Sequence, residues 1–474
     1  ILWQSDIEAI RSYSSVRSSD LNNDGVLDLV LGGGVDGYAT PYGVIAINGD
    51  DGNILWTMPT RNEMFGSAQF LDINNDDIDD VVITGRDAEL RMINGQDGSL
   101  IWEFWADPSE TDAPEDYIHP NDSGWYNFYN PQIITDLSGD GLSDLLCANG
   151  GDHSLDAIIL DRPPGNLLAI DAANGDILYS AVVPDSNETY MSPLCVDLDQ
   201  SGNQKIIFGT GGETIAGNLW ICDLSDLVNE DLSSAIPLLN NPSLGVIAPP
   251  SIGDVNNDLV KDIIVQSFDG RISAIDGSSF EILWEVSLDG VESSVSPTLG
   301  VFSGNDNNLD VFCINYVGAE SSYNDFYQIL IDGFTGDILF MDSIGDYNFA
   351  SAVAFDSNSD GKDEVLLSTT NLNAGFNHDL FLLDFINDTT LLINNTQGGD
   401  VWSTPLIQDL DNNEFIDIVF VTQNGNPFES SGISISRIST DFPFPNQGIN
   451  WGSYMGTDFN AELENYYGGC EQDL

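Results

Sequence analysis

The chain has 474 residues, with 11 Lys and Arg against 77 Asp and Glu, and a formal net charge of −66. A surface this acidic repels nucleic acid and anionic membrane, and it stays dispersed best where salt screens self-repulsion, which points to a saline, extracellular or cell-surface setting. No apolar run approaches the roughly eighteen residues of a membrane-spanning helix, so no membrane span is expected.

In chain order, Ile1-Leu2-Trp3 matches the ends of later units, Ile54-Leu55-Trp56 and Ile282-Leu283-Trp284. Asp20-Leu21-Asn22-Asn23-Asp24-Gly25-Val26-Leu27-Asp28 follows and runs straight into the apolar Leu29-Val30-Leu31. Side-chain oxygens stand at its first, third, fifth and ninth positions (Asp20, Asn22, Asp24, Asp28), and Gly25 sits where a loop wrapped round a cation takes positive φ. The stretch predicts a calcium loop opening into a strand. Asp, Asn and Gly also build ordinary turns, so repetition carries the argument.

Copies recur about every 50 to 60 residues, the period of a propeller blade. They comprise Asp72, Asn74, Asp76 and Asp80; Asp136, Ser138, Asp140 and Asp144; and Asp254, Asn256, Asp258 and Asp262. Two more comprise Asp356, Asn358, Asp360 and Glu364, and Asp409, Asp411, Asn413 and Asp417. Two further units keep the frame but lose ligands. Lys205 takes the ninth position after Asp197 and Asp199, where its ammonium is expected to pair with those acids in place of a metal. Around Phe302 to Asp310 the first acid is missing. Calcium is expected at about four to six loops, and six divalent ions would offset about 12 negative charges, too few to explain the acidity.

A second motif follows each loop in step. Val44 to Trp56, Leu90 to Trp102, Leu167 to Tyr179, Ile272 to Trp284 and Ile329 to Phe340 each read as strand, tight Gly/Asp/Asn turn, and strand ending in an aromatic. Four strands per unit predict an all-β propeller, with eight four-stranded blades expected and seven the alternative. The propeller is assigned to 1–446, with residues 1–7 closing the last blade as its outer strand and Gly448 to Met455 as the rival donor. Residues 447–474 form a tail packed on the ring or leading to a further segment.

Antiparallel order puts the calcium loops and the short turns on one face and the long variable loops on the other. The longest of these, Ala106 to Asn130, carries Tyr117, His119, Trp125 and Tyr126, the candidate ligand-binding residues. Aromatics on convergent loops grip sugar rings or a protein partner; the alternative is an insert that folds down and buries its own rings. His119, His153 and His378 all fall in variable loops, and Arg61, Arg86 and Arg162 are candidate cations for an anionic ligand or surface ion-pair partners. Cys147, Cys195 and Cys313 occupy apolar strand positions and read as buried thiols, while Cys222 and Cys470 lie in more polar surroundings and could pair.

The loop-plus-strand units resemble the FG-GAP (integrin α-like, VCBS-type) calcium-binding repeat. The interleaved Ala46-Ile47-Asn48-Gly49 to Trp56 motif is similar to the PQQ-like (quinoprotein-type) repeat, whose terminal tryptophans dock neighbouring blades. Asp77, Leu259 and Glu414 depart from the glycine that the loop motif carries. The resemblance implies a secreted or surface-exposed propeller in a family spanning adhesins, polysaccharide-active enzymes and scaffolds. No Cys-Cys pair is present, so no PQQ is expected. With no recognisable catalytic set, the expectation is a calcium-stabilised binding or adhesion module for carbohydrate or a surface protein. The alternatives are a calcium-dependent polysaccharide lyase or hydrolase, and a structural subunit of a self-assembling layer, filament or larger complex.

Overall fold

The computed structural model describes residues 1–105, 124–152, 155, 159–304, 307–320, 322–373, 375–399, 402–429 and 431–463. Blade 1 shows the repeated unit: strands A (Arg17–Ser19), B (Asp28–Gly32), C (Thr40–Ile47) and D (Ile54–Thr60) pair antiparallel in that order. Eight such sheets form the ring, and the third and sixth add a short extra strand. Every residue of strand B is buried in blades 1 and 2, as expected for a central strand covered by a neighbouring blade on each face. Strand D alternates buried and exposed positions because its outer edge meets solvent. The A strands stand at the axis and bond to one another: Ser251 Oγ donates to Pro297 O at 2.6 Å, and Thr298 Oγ1 to Ala352 O at 2.8 Å.

The N-terminal strand closes the ring. Trp3–Glu8 pairs with Gly432–Pro443, from Trp3 opposite Arg437 to Glu8 opposite Gly432, and so completes blade 8. Adjacent blades dock through aromatic N–H donors at strand D. Trp3 Nε1 reaches Gly49 O at 2.8 Å, Trp56 reaches Gly95 O at 2.7 Å, Trp102 reaches Ala172 O at 2.8 Å and Trp284 reaches Gly333 O at 2.6 Å. This is the docking role that the quinoprotein-type resemblance implied for the terminal tryptophans.

Each Asp-rich loop is tied by its own first acid. Asp20 accepts the N–H groups of Asp24 (3.2 Å) and Gly25 (3.0 Å), and Asp254 those of Asp258 (3.1 Å) and Leu259 (2.9 Å). The degenerate unit folds the same way, with Asp197 accepting from Ser201 (3.1 Å) and Gly202 (2.7 Å). A complete ligand set is therefore not what shapes the turn. The sixth position has φ of 87° at Gly25, and the same left-handed backbone is forced on Asp77 (66°), Leu259 (72°) and Glu414 (70°), at roughly 1 kcal/mol each.

Three sequence expectations need correction. Lys205 does not reach Asp197 or Asp199; its Nζ lies 2.5 Å from Asp223, because strand register sets Lys205 directly opposite Asp223. His378 is not on a loop but inside strand Asn377–Asp384, fully buried, where its ring stacks on Phe420 and bonds Ser368 Oγ at 2.7 Å. Burial holds that imidazole neutral, with its pKa pushed down to about 3. Cys195 is half-buried rather than a buried thiol and bonds Gln204 at 3.4 Å; Cys222 is buried with Asp226, Asp223 and Lys205 near its thiol, Cys147 and Cys313 are buried as expected, and Cys470 lies outside the described residues.

The tail, described as far as Leu463, packs against the ring from within. It enters the axis, where Trp451 exchanges backbone hydrogen bonds with Ala354 of blade 7 (2.8 and 3.2 Å) and Gly452 O accepts from Ile407 of blade 8 (2.8 Å). Further on, Ala461 O accepts from Ile252 of blade 5 (2.8 Å). Side chains complete the docking. Arg17 of blade 1 sits over Phe459 at 4.3 Å, and Gln69 and Gln132 of blades 2 and 3 donate to Phe459 O at 3.1 and 3.4 Å.

Candidate functional site

On the variable-loop face, the segment entering each strand A turns a side chain toward the axis. Tyr13, Phe65, Tyr129, Tyr190, Ile247, Phe349 and Trp402 line one funnel, with Ser294 at the corresponding position of blade 6, Ser15, Ser67, Ser192 and Ser351 two residues further along, and Tyr454 of the tail at the base. The cavity measures ≈ 240 Å³. The rings form a nearly continuous collar: Phe349 stacks on Trp402 at 4.4 Å, Trp402 meets Tyr13 edge-on at 5.1 Å, Phe65 meets Tyr129 at 5.5 Å and Tyr129 meets Tyr190 at 6.2 Å.

A wider mouth of ≈ 400 Å³ opens above blades 2 to 4 and adds Arg86, Asn127, Arg162, Glu188, Glu213 and Thr214. Its charges are arranged in pairs. Buried Glu63 bridges Arg11 and Arg86, each Nε 2.8 Å from one carboxylate oxygen, while the two guanidinium groups lie over Tyr13 and Phe65. Across the mouth, Tyr190 donates to Glu188 at 2.8 Å and Arg162 Nε stands 3.8 Å from the same carboxylate. Glu213 is open to solvent by area yet stands among protein on most sides. That desolvation first, then Glu320, Glu292 and Glu188, raises its carboxyl to about 8.

The collar was missed by sequence reasoning, although a signal exists. Each collar residue stands seven positions before the first acid of the next loop: 13 before 20, 65 before 72, 129 before 136, 190 before 197, 247 before 254, 349 before 356 and 402 before 409. Setting the units in register on the loops exposes this column, aromatic at every position but Ile247, directly.

Of the insert candidates, Trp125 is half-buried, edge-on to Phe104 at 5.5 Å, and Tyr126 is buried, its N–H bonded to Asn149 at 2.9 Å. Tyr117 and His119, and likewise His153, lie outside the described residues. Arg61 faces Glu89 and Glu103 and covers Trp105 at 4.5 Å.

The loop acids divide by role. The ninth-position carboxylates turn inward, so Asp28, Asp80, Asp144, Asp262, Glu364 and Asp417 are all buried. Asp28 accepts from Leu21 (3.0 Å) and Asn22 (3.1 Å) on one oxygen and from Gly49 (3.1 Å) on the other. Asp80 and Asp262 make the same reach to Gly95 (3.3 Å) and Gly277 (3.1 Å), tying the loop to the C–D turn on this face. Burial raises Asp28 and Asp80 to about 6, and Asp262 and Glu364 to about 7.

Among the described residues, Asp409, Asp411 and Asp417 bring three carboxylates within 4.8 Å of one another. A protein cation already stands there. Buried Arg437 places Nη2 2.7 Å from both Asp411 and Asp417, and its Nη1 donates to Gly49 O at 2.8 Å. The internal cation expected at Lys205 is thus found four blades further on, at the ring closure.

No family model matches the chain. The human protein FAM234B is 27% identical over 140 residues, covering 29% of this chain and 21% of that protein, so the match spans about a fifth of the relative's length. Among solved structures, a europium-containing methanol dehydrogenase superposes with a TM-score of 0.60 at 9% identity, covering 92% of each chain. The exotype rhamnogalacturonan lyase YesX gives 0.57 at 14% identity, over 99% of this chain and 80% of that one. The quinohemoprotein alcohol dehydrogenase from Comamonas testosteroni gives 0.57 at 11%, over 92% and 76%. At these identities the likeness is one of fold.

Proposed function

We propose that the chain is a secreted or cell-surface binding protein whose axial funnel grips a sugar ring, on a scaffold stiffened by calcium in its Asp-rich loops. The aromatic collar over a row of serine hydroxyls carries this reading. Ring faces stack on the apolar faces of a pyranose while hydroxyls below exchange hydrogen bonds with it, a few polar groups fixing orientation in an otherwise apolar wall. Retention on a panel of polysaccharides in calcium and salt, with chain cleavage followed in parallel, tests it. Trp402→Ala is expected to weaken retention at least tenfold, a loss of about 1.4 kcal/mol. Retention untouched by that substitution would remove the funnel from consideration.

One observation favours a second reading, in which the funnel is an enzyme acting on a polysaccharide. Glu213 shares the mouth with the Tyr190–Glu188–Arg162 group, and a carboxyl raised by desolvation and by neighbouring acids is suited to proton transfer. Cleavage by the wild-type chain that is lost in Glu213→Gln would select this reading.

For calcium, the residues that would hold it are the first, third, fifth and ninth positions of the loops at Asp20, Asp72, Asp136, Asp254 and Asp356. The ion would supply counter-charge rather than chemistry. The buried ninth acids fit this role, since burial makes them costly to ionise without a nearby cation. The loop at Asp409 fits less well, because Arg437 occupies two of its carboxylates.

A pH dependence follows from the raised carboxyls. Between roughly pH 4, where the unfolded acids ionise, and their native values of about 6 to 7, the folded state holds protons that the unfolded chain has released. Stability of the stripped protein therefore falls as pH rises through that window. Calcium, which requires the ionised form, is expected to raise the melting temperature strongly at pH 8 and little at pH 5. A chelated melt that stays level from pH 5 to 8 and ignores added calcium would sink the proposal.

A further inference from the structure

Among the described residues the funnel has one open end. In a propeller ring the A strands surround an axial channel, and here that channel is occupied by the segment from Ile449 to Leu463. Its backbone pairs with blades 5, 7 and 8 through Ile252, Ala354 and Ile407. Blades 1, 2 and 3 hold it through Arg17, Gln69 and Gln132. Met455 and Ala461 pack with Leu194 and Val196 of blade 4, and Leu463 with Leu299 of blade 6. All eight blades therefore grip the plug. Polar ties lock it further: Asn450 Nδ2 donates to buried Asp363 at 2.8 Å, and Lys261 pairs with Glu462.

We infer that the site is a blind funnel that takes the terminal ring of a glycan chain, with Tyr454 as the residue that sets its depth. This rests on the funnel being the carbohydrate site. Tyr454 lines the cavity together with Tyr13, Tyr190, Phe349 and Trp402 and stands at the plug's upper surface, beside Ser192 and Ser296. A chain cannot thread past it. The cavity of ≈ 240 Å³ is smaller than the roughly 300–1,000 Å³ of sites that enclose drug-sized ligands, so one ring fits the collar and the next occupies the mouth between Arg86 and Glu188. An internal segment of a polymer has chain on both sides and would have to fold back sharply to present a ring at such depth.

The test uses rhamnogalacturonan, alginate, xylan and starch as soluble ligands. Each is offered intact and after partial hydrolysis that multiplies chain ends about tenfold at equal mass. For any polymer bound, the mass concentration at half-saturation is expected to fall about tenfold on shortening. Tyr454→Ala, which opens space beneath the collar, is expected to reduce that end preference at least threefold, while Tyr454→Phe, which preserves the floor, retains it. Half-saturation unchanged by shortening would show that internal segments bind, overturning the blind funnel while leaving the carbohydrate site standing. An end preference unaffected by Tyr454→Ala would remove Tyr454 from its assigned role. Failure of all four polymers to bind overturns both this inference and the reading on which it rests.

Discussion

Replacing Arg437 with Met is expected to cost about 3–5 kcal/mol of stability, the range for breaking a buried ion pair from one side. Its guanidinium is fully buried, 2.7 Å from Asp411 and from Asp417, and also bonds Gly49 O. Without it Asp417, itself 1% exposed, would keep a carboxylate in a site with no counter-charge. Gly49 O retains its second donor, Trp3 Nε1, so the damage concentrates on the two acids. Urea unfolding at pH 7 measures the loss. The double variant Arg437→Met with Asp417→Asn should recover a large part of it, because the neutral amide removes the stranded charge. If the single and double variants unfold alike, the ion pair is not the source of the effect. Millimolar calcium adds a further arm: with Arg437 gone, the loop at Asp409 regains an uncompensated carboxylate trio and should respond to the ion more than the wild-type loop does.

Trp451→Ala is expected to cost a similar amount, about 3–5 kcal/mol, the usual price of removing a large buried aromatic. Trp451 is wholly buried within the axial plug, packed in the core of blades 5 to 7. Its Nε1 finds no partner among the described residues, so the ring's value lies in volume rather than in a hydrogen bond, and Trp451→Phe should lose only a fraction as much. Hydrogen exchange supplies the second readout. The amides of Ala354, Ile407 and Ile252 are protected by carbonyls of the tail and should exchange faster in the Ala variant. A loss below about 1 kcal/mol with those amides still protected would mean that the plug is held elsewhere.

Much of the architecture was legible because the relevant signals are local and repeated. The Asp20 loop and the Ile54-Leu55-Trp56 ending each recur in register, so strand order, facing of the loops and closure through Trp3 could be read from spacing alone. What escaped depends on contacts distant in sequence. Arg437 looks like any exposed strand arginine until ring closure brings it beside Gly49 and over the Asp409 loop. His378 was misplaced because strands Glu364–Asn371 and Asn377–Asp384 run longer than the apolar pattern suggests, burying polar Thr369, Thr370 and His378. The tail has no repeat partner, and nothing local distinguishes a segment that lies on a ring from one that enters it. The collar was hidden for a different reason: the longest loop carries the densest aromatic cluster, whereas the funnel takes one residue from nearly every blade.

Closure also fixes an order of events during synthesis. Strand Trp3–Glu8 leaves the ribosome long before its partner Gly432–Pro443; the bond between Ser434 and Asp6 joins residues 428 positions apart. Until then the early strand has no mate, blade 8 keeps a bare edge, and the plug has no finished channel to enter. Such long-range pairing predicts slow final assembly, and at high concentration an unclosed chain accepts the closing strand of a neighbour instead. The seam that makes the ring continuous is thus also where two nascent copies exchange strands.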